Sequence, residues 1–255
     1  MTNATLDVTT YLRRIGYDGP RDGSAAALAG LQQAHLCAVP YENLDILAGK
    51  PLSLESDALY DKIVTRRRGG FCFELNGLFG WLLEALGYSV THYFARFLKD
   101  EPTTPMRRHR VLRVMAEGQP WLCDVGVGGP VPLRPLRLTE GLEQLQGDDC
   151  YRLLRDPFLG WVVEERRHGA WSRYYSFTEE PQLPVDFVAT SFYCEHSPAS
   201  PFNKEPMVAL RTPEGRLTLD GRVFKRFTPT GVTVTEAKDA ATFDRLLLEY
   251  FGLAI

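Results

Sequence analysis

The spacing of the apolar residues changes at Gly87, and this change constrains the fold more than any other feature of the chain. Before Gly87, apolar residues recur at every third or fourth position, which is typical of amphipathic helices. After it, short segments alternate between apolar and polar residues and are separated by Gly, Pro, Asp and Asn, which is typical of strands. Helices followed by antiparallel strands predict an α+β protein.

Five helices and eight strands are predicted from these patterns. The clearest helix begins near Cys72 and ends at Gly87, and its apolar positions follow helical spacing: Leu75, Leu78, Phe79, Leu82, Leu83 and Leu86. Three helices are predicted before it, in the segments 5–17, 24–36 and 53–68, and one after it at 240–253. The strands are predicted at 89–98, 109–115, 120–126, 160–167, 171–177, 206–212, 215–221 and 222–228.

The composition excludes several classes of protein. Of the 255 residues 44% are apolar and 24% charged, and the net charge of -3 gives no general attraction for nucleic acid or anionic membranes. No apolar run is long enough to span a membrane, and the first ten residues lack the features of a secretory signal, so we expect a cytoplasmic protein. The five cysteines are scattered and form no C-x-x-C pair, which argues against a disulfide framework or a metal site.

Cys72 stands where the segment RRRGGF turns into the clearest helix. The free N–H groups of a helix start favour an anion, and nearby guanidinium groups would lower the pKa of a thiol further. Gly69 and Gly70 are expected to let a ligand approach the backbone closely. The residues leave two interpretations open: a reactive thiolate, or a buried cysteine with a structural role only.

His109 is the histidine best placed to act as a base for this thiol. The segment around it has the pattern of a β-hairpin with its turn at 116–120, and pairing about that turn brings His109 and Asp124 to opposite or diagonal positions. Side chains at such positions have β-carbons about 4.5–8 Å apart, so the carboxylate can hold the Nδ1–H of the imidazole. Cys72, His109 and Asp124 are therefore a candidate nucleophile, base and orienting acid.

Five segments of the chain resemble motifs of the arylamine N-acetyltransferases, in the same order and at approximately the same spacing. They are VPYENLDI at 39–46, RRGGFCFELN at 67–76, HRVLRV at 109–114, DVGVGG at 124–129 and SPASPF at 197–202. The block that contains Cys72 is highly specific, and the similarity covers nearly the whole chain. On these motifs the chain is identified as a member of that family.

The resemblance implies a fold related to the papain-like cysteine enzymes. A helical bundle at 1–87 would carry the cysteine, a β-barrel at 88–196 the histidine and aspartate, and an α/β lid would occupy 197–255. The implied reaction is ping-pong: Cys72 takes the acetyl group of acetyl-CoA, and an arylamine, arylhydrazine or N-hydroxyarylamine then accepts it. Acetyl-CoA is a co-substrate, no permanently bound cofactor is implied, and we expect a monomer or homodimer without nucleic-acid or membrane partners.

The same resemblance assigns roles to further residues. Residues implied to line the acceptor pocket are Tyr41, Phe71, Val127 and Phe202. Residues implied to contact CoA are Arg107, Arg108, Gly126, Gly128 and Gly129, and Arg68 is implied to brace the active-site loop.

Two features depart from the family pattern, one side chain and the length of the C-terminus. Three alternative functions stay open. Position 127 is often aromatic but is valine here, which indicates a differently shaped acceptor pocket, and the chain stops at Ile255 without the longer tail of some members, which leaves the donor preference open. The alternatives are an amide synthase that uses carrier-bound chains, a hydrolase related to papain-like peptidases or transglutaminases, and a binding protein without activity. Whether the role is metabolism of xenobiotics or biosynthesis is open as well.

Overall fold

The computed structural model describes residues 6–99, 103–167 and 169–254; Ile255 lies outside the described residues. The α-helices within these ranges are α1 Val8–Ile15, α2 Ala25–Ala38, α3 Leu44–Leu47, α4 Ser56–Tyr60, α5 Cys72–Ala85, α6 Asp186–His196 and α7 Ala240–Phe251. The strands are β1 Tyr41–Glu42, β2 Ser89–Phe97, β3 His109–Ala116, β4 Gln119–Cys123, β5 Leu136–Arg137, β6 Gln144–Gln146, β7 Asp149–Asp156, β8 Gly160–Arg167, β9 Ala170–Phe177, β10 Met207–Thr212, β11 Gly215–Asp220, β12 Val223–Thr228 and β13 Gly231–Glu236.

All five predicted helices and all eight predicted strands are confirmed. The side chain of Ser24 accepts from the N–H of Ala27 at the start of α2, and Gly87 ends α5 with a φ of 90°. The third predicted helix is split, because α4 continues as a π-helical turn over Asp61–Thr65. The elements missing from the prediction are α3, α6, β1, β5, β6, β7 and β13.

Helix α5 lies at the centre of the main core. Its residues Leu75, Leu78, Phe79, Leu82 and Leu83 are fully buried, and the helix packs against α1, α4, β2 and β3. Burial of one such side chain stabilises the fold by about 1.5–3 kcal/mol, so this apolar face fixes the helix tightly. The first residue of α5, Cys72, is thereby held against β3.

Eight antiparallel strands form one sheet in the order β5-β4-β3-β2-β9-β8-β7-β6. Its two edge strands are joined by glutamine side chains: the amide of Gln144 bonds both to the N–H (2.7 Å) and to the carbonyl oxygen (3.1 Å) of Arg137. The amide of Gln146 does the same with Arg134, at 2.8 Å for both bonds. The sheet is therefore a nearly closed barrel.

Five further strands form a second antiparallel sheet in the order β1-β10-β11-β12-β13. The short strand β1 belongs to the helical region of the sequence and joins this sheet through the pair Tyr41 and Ala209. Helix α7 covers one face of the sheet, where the rings of Phe224 and Tyr250 lie 4.5 Å apart. Across the described ranges, none of the helices is long and apolar enough to cross a lipid bilayer.

Candidate active site

Cys72 is the first residue of α5 and is almost fully buried. The helix start is fixed by Glu74, whose Oε2 accepts the N–H of Phe71 at 3.0 Å. The Cys72 Sγ donates to the carbonyl oxygen of Arg108 at 3.7 Å, and the backbone N–H of Arg110 donates to Sγ. The sulfur therefore contacts the backbone on both sides of His109.

The expected lowering of the Cys72 pKa is wrong. Burial raises the pKa of this thiol well above its usual value, and the nearby Cys194 and Asp124 raise it further, while the N–H groups of Arg110 and Phe73 act in the opposite direction. Loss of hydration disfavours the charged form of a thiol, and at this site it outweighs the helix start. A thiol in such surroundings needs a base to become a nucleophile.

Two of the three arginines before Cys72 have carboxylate partners. Arg66 pairs with the exposed Asp61 at 2.7 Å. The buried Arg68 pairs with Glu42 at 2.9 Å and with Asp45 at 3.1 Å. The two ion pairs of Arg68 tie the loop before Cys72 to the segment 42–45, which fits the bracing role expected for Arg68.

A second ion-paired cation lies below the same loop. The Nζ of Lys62 lies 3.0 Å from Asp45 and 2.7 Å from Glu74, and all three side chains are buried. Glu74 therefore joins the ion cluster to the first turn of α5, because its other carboxylate oxygen holds the N–H of Phe71.

Close packing explains four of the glycines for which a ligand contact was expected. A β-carbon at Gly69 would lie 2.1 Å from the carbonyl oxygen of Pro40, and one at Gly70 would lie 2.8 Å from Glu74. Both glycines let chain segments pack closely, which accounts for them without a ligand, and the expectation that they let a ligand approach the backbone stays a prediction. At Gly126 and Gly128 a β-carbon would lie 2.6 Å from the Cys72 Cα and from the Tyr41 ring, respectively, whereas at Gly129 the nearest atom would be 3.8 Å away.

His109 and Asp124 lie diagonally across the predicted hairpin. Strands β3 and β4 pair Leu112 with Cys123, and Glu117 and Gly118 form the turn with φ values of 52° and 71°. The Asp124 Oδ2 lies 2.7 Å from the Nε2 of His109, so the carboxylate holds Nε2–H instead of the expected Nδ1–H. Nδ1 is buried and has no hydrogen-bond partner among the described residues.

Two amide side chains that sequence reasoning missed hold Asp124 in place. The Nδ2 of Asn76 donates to Asp124 Oδ1 at 2.9 Å and its Oδ1 accepts the N–H of Val125, while Gln32 Oε1 accepts the N–H of Asp124. The N–H of Gly126 also donates to Asp124 Oδ1 at 2.9 Å. The i, i+4 spacing from Cys72 to Asn76 puts both on one helix face and could have revealed Asn76.

The residues expected to line an acceptor pocket lie in two adjoining groups. Tyr41 and Val127 line a small cavity together with Gly129. The ring of Phe202 packs edge-on against that of Phe71, with centroids 5.8 Å apart. Burial raises the pKa of Tyr41 well above its usual value, so its hydroxyl is neutral.

The basic residues expected to contact CoA are separated. Arg107 pairs with Glu180 at 3.2 Å and does not line the cavity, whereas the carbonyl oxygen of Arg108 contacts Cys72. The cavity instead continues to Arg211 and Arg216, which are paired across β10 and β11 and which the sequence did not single out.

Arg211 and Arg216 also line a groove between β11–β12 and the segment 133–149, together with Arg134.

The described part of the chain holds no group of three His, Cys, Asp or Glu side chains that could bind a metal.

Comparison with known proteins identifies the family. A sequence profile described as N-acetyltransferase matches residues 24–255, and this defines an acyltransferase. The arylamine N-acetyltransferase of Mycobacterium tuberculosis is 37% identical over 98% of this chain and 90% of its own length. This chain belongs to the arylamine N-acetyltransferase family.

Solved structures agree with this assignment. The arylamine N-acetyltransferase from Salmonella typhimurium has a TM-score of 0.92 at 34% identity, covering 96% of this chain and 90% of that chain. The Mycobacterium marinum arylamine N-acetyltransferase in complex with CoA has a TM-score of 0.90 at 38% identity, covering 96% of this chain and 92% of that chain. The α+β architecture described above is thus shared with members of the family.

Proposed function

We propose that this protein transfers an acetyl group from acetyl-CoA to arylamines, arylhydrazines or N-hydroxyarylamines through an acetyl-Cys72 intermediate. The observation that carries the proposal is the position of the Cys72 Sγ, between the backbone of Arg108 and that of Arg110, beside His109. His109 in turn bonds to Asp124 at 2.7 Å. These contacts support the assignment of Cys72, His109 and Asp124 as nucleophile, base and orienting acid.

The base resolves the problem that burial creates for the thiol. A lone thiolate at Cys72 is disfavoured by burial, but proton transfer to Nδ1 of His109 produces a thiolate and an imidazolium together. Asp124 stabilises the imidazolium through Nε2–H and keeps Nδ1 free to accept the proton. The S–H bond breaks as the N–H bond forms, and the net charge of the site does not change.

The proposed reaction has two half-reactions. In the first, the thiolate attacks the carbonyl carbon of acetyl-CoA, the bond from that carbon to the CoA sulfur breaks, and CoA leaves with the proton from His109. In the second, the acceptor nitrogen attacks the acetyl-Cys72 carbonyl and gives a proton to His109, and the Cys72 thiolate leaves. Thioester exchange is nearly thermoneutral, so the protein mainly has to supply an activated sulfur and N–H groups for the oxyanion.

The acceptor is proposed to bind among the aromatic side chains near the sulfur. The cavity that contains Tyr41 and Val127 lies beside Cys72, since Gly128 packs on the Tyr41 ring and Gly126 on the Cys72 backbone. Phe71 and Phe202 offer further ring surfaces next to it. Flat apolar walls of this kind suit an aryl group.

The nucleotide end of CoA is proposed to lie along the arginine-lined groove. Arg211 and Arg216 line both the small cavity beside Tyr41 and the larger groove next to it, which puts the groove and the cavity side by side. The guanidinium of Arg216 also lies 3.7 Å from the centroid of the Phe227 ring. Cations suit the phosphates of CoA, and the partly exposed Phe227 ring beside them suits its adenine.

The proposal includes the organisation expected for the family. It divides the chain into a helical bundle at 1–87, a barrel at 88–196 and an α/β lid at 197–255, arranged as in papain-like cysteine enzymes. The strand pair Tyr41–Ala209 supports the lid assignment, because it ties the C-terminal sheet to the segment beside Cys72. A cytoplasmic monomer or homodimer without a permanently bound cofactor completes the proposal.

Intact-protein mass spectrometry tests the intermediate. We expect a mass gain of one acetyl group when the wild type meets acetyl-CoA without an acceptor, and no gain in Cys72→Ser. Cys123→Ser is the matched control, because Cys123 is also a buried thiol but lies on β4 without a base, and it should still be acetylated. Addition of an arylamine should remove the acetyl mass and release the N-acetylarylamine.

Other outcomes point to other functions. Equal labelling of wild type and Cys72→Ser would refute the acetyl-cysteine mechanism. Acylation from carrier-bound chains only, or turnover of peptides without CoA, would replace the proposed reaction by amide synthesis or hydrolysis.

A further inference from the structure

A buried guanidinium without a carboxylate partner lies behind the candidate active site. Arg110 follows His109 on β3, and its side chain is on the opposite face of the strand and only 3% exposed. Among the described residues its guanidinium contacts neutral groups: Nε and Nη2 lie 3.1 and 2.9 Å from Nδ1 of His92. Nη1 donates to the carbonyl oxygen of Phe73 at 3.4 Å, and the Phe187 ring centroid is 4.4 Å from Cζ.

The pair of Arg110 and His92 carries one positive charge. Because the Nδ1 of His92 accepts hydrogen bonds from Arg110, its ring is neutral, and burial together with Arg110 lowers the pKa of His92 to about 3. Burial lowers the pKa of Arg110 only to about 10, so the guanidinium stays charged at neutral pH. The exposed carboxylate of Glu84 interacts with this charge but forms no ion pair with it in the described part of the chain. A buried charge without an ion pair costs several kcal/mol, and its presence in the core therefore requires an explanation.

The same residue holds the first turn of α5 against β3. The backbone N–H of Arg110 donates to the Cys72 Sγ, and its carbonyl oxygen accepts from Nδ2 of Asn76 at 2.6 Å. Two glycines of α5 make room for the pair: a β-carbon would lie 2.9 Å from Nη1 of Arg110 at Gly77, and 2.5 Å from Cε1 of His92 at Gly80. Helix α5 and strand β3 thus pack together in a way that leaves room for the Arg110 guanidinium between them.

We propose that Arg110 is a positioning residue whose buried guanidinium, held by His92, is the counter-charge of the Cys72 thiolate. The inference rests on the proposed function in one respect, that Cys72 is the nucleophile. When the proton of Sγ moves to Nδ1 of His109, the S–H bond breaks and the N–H bond forms. The sulfur then carries a negative charge, which the positive charge of Arg110 stabilises. In the second half-reaction the same cation favours departure of the sulfur as a thiolate.

Other charged or titratable groups around the sulfur come from three further elements. Asp124 on the segment after β4 and Cys194 on α6 disfavour a negative charge at Cys72. Tyr41 on β1 is kept neutral by burial. Arg108, whose carbonyl oxygen contacts Sγ, is a cation that lowers the pKa of Tyr41 and of Cys194. Arg110 interacts with Cys72 through its backbone N–H and through charge, and the charge interaction raises the pKa of Arg110.

Alkylation of Cys72 in the absence of acetyl-CoA tests this role. The rate of reaction with iodoacetamide is measured between about pH 5 and 10, and the alkylated peptide is identified by mass. Arg110→Met should shift the midpoint of the Cys72 profile upward by about one pH unit or more, since an opposite charge is removed. Arg110→Gln, which is neutral but can still bond to His92, should show the same shift, and Arg110→Lys should stay close to the wild type.

A second readout separates charge from structure. In Arg110→Met the alkylation of Cys72 by the anionic reagent iodoacetate should slow by a larger factor than alkylation by iodoacetamide. The reason is that the positive charge of Arg110 attracts the anionic reagent in the wild type. Replacing a buried unpaired charge by an apolar side chain is often neutral or stabilising, so we expect no loss of urea stability in this variant. Arg113→Met on the same strand is the matched control and should leave the profile unchanged.

The proposal is overturned if a folded Arg110→Met or Arg110→Gln variant has the wild-type midpoint and the wild-type ratio of the two reagents. Because alkylation needs no acetyl-CoA, failure of the acetyl-mass experiment would refute the proposed function and leave this result standing. A shifted alkylation profile together with normal acetylation would support both.

Discussion

Asp124→Asn should slow acetylation strongly while leaving the protein folded, because the surrounding bonds fix the orientation of the new amide. Two donors hold the Oδ1 position, the Nδ2 of Asn76 and the N–H of Gly126, each at 2.9 Å. The oxygen of the asparagine must therefore stay there, and its NH2 group must face His109. That group donates to Nε2, so the proton of the imidazole moves to Nδ1.

The magnitude follows from the tautomer. With a proton on Nδ1, His109 has no lone pair for the thiol proton, and we expect acetylation to slow by about 10³ to 10⁴, or about 4–5.5 kcal/mol of barrier. Stability should fall by only about 1–3 kcal/mol, because every hydrogen bond of Asp124 is kept and only its charge assistance is lost.

Single-turnover acetylation, followed by intact-protein mass spectrometry, measures the loss of rate. Urea unfolding measures the loss of stability. The ¹⁵N chemical shifts of His109 report directly where the proton resides. Asp220→Asn makes the same chemical change on β11, which carries none of the three candidate catalytic residues, and should alter neither the acetylation rate nor the His109 tautomer. If Asp124→Asn is folded and acetylated within about tenfold of the wild type, the tautomer argument is wrong.

Two further predictions concern stability. Arg68→Met should cost about 3–5 kcal/mol of unfolding free energy, because it leaves the fully buried Glu42 carboxylate without its cation. Acid should also destabilise the fold: burial lowers the pKa of His35 and His92 to about 3, below the unfolded value of 6.5, so the unfolded state binds more protons. The stability is therefore full above about pH 7 and falls by about 2.7 kcal/mol per pH unit between about 6.5 and 3.

Urea titrations check both of these predictions. Arg66→Met removes an exposed ion pair next to Arg68 and should cost less than about 1 kcal/mol; an equal loss in the two variants would contradict the assigned role of Arg68. His35→Gln should roughly halve the pH dependence between pH 7 and 5. A stability independent of pH over that interval would show that the two histidines are not held neutral.

The fold could be predicted where the pattern of the sequence is long. Helix α5 repeats its apolar spacing over nearly four turns, whereas β5 and β6 are only two and three residues long and are too short to show a period. Helix α6 was missed because much of its apolar surface faces outward: Val188 is 52% exposed and Phe192 is 62% exposed. Its position depends on tertiary packing, which the local pattern does not contain.

The geometry of the site could be predicted in part. The hairpin register brings His109 and Asp124 together because strand pairing is local and regular. The ionisation of Cys72 could not be predicted, since it depends first on the burial of the sulfur and then on Cys194 and Asp124, which come close to it only in the folded chain. Arg68, which was expected to favour the thiolate, pairs instead with Glu42. Such long-range partners leave no periodic signal in the sequence.

The side-chain bonds of Gln144 and Gln146 to Arg137 and Arg134, here called the glutamine seam, have a consequence for the dynamics and the chemical stability of the barrel. Elsewhere in the sheet, peptide groups bond to peptide groups, but Gln144 and Gln146 close the circle with single side-chain amides that can release one at a time. The seam is thus the place where the barrel opens first, and backbone amides there should exchange hydrogen before those of β2 and β3. Hydrolysis of either side-chain amide would put a carboxylate against the carbonyl oxygen of Arg137 or Arg134, so slow deamidation would turn a closed barrel into an open sheet.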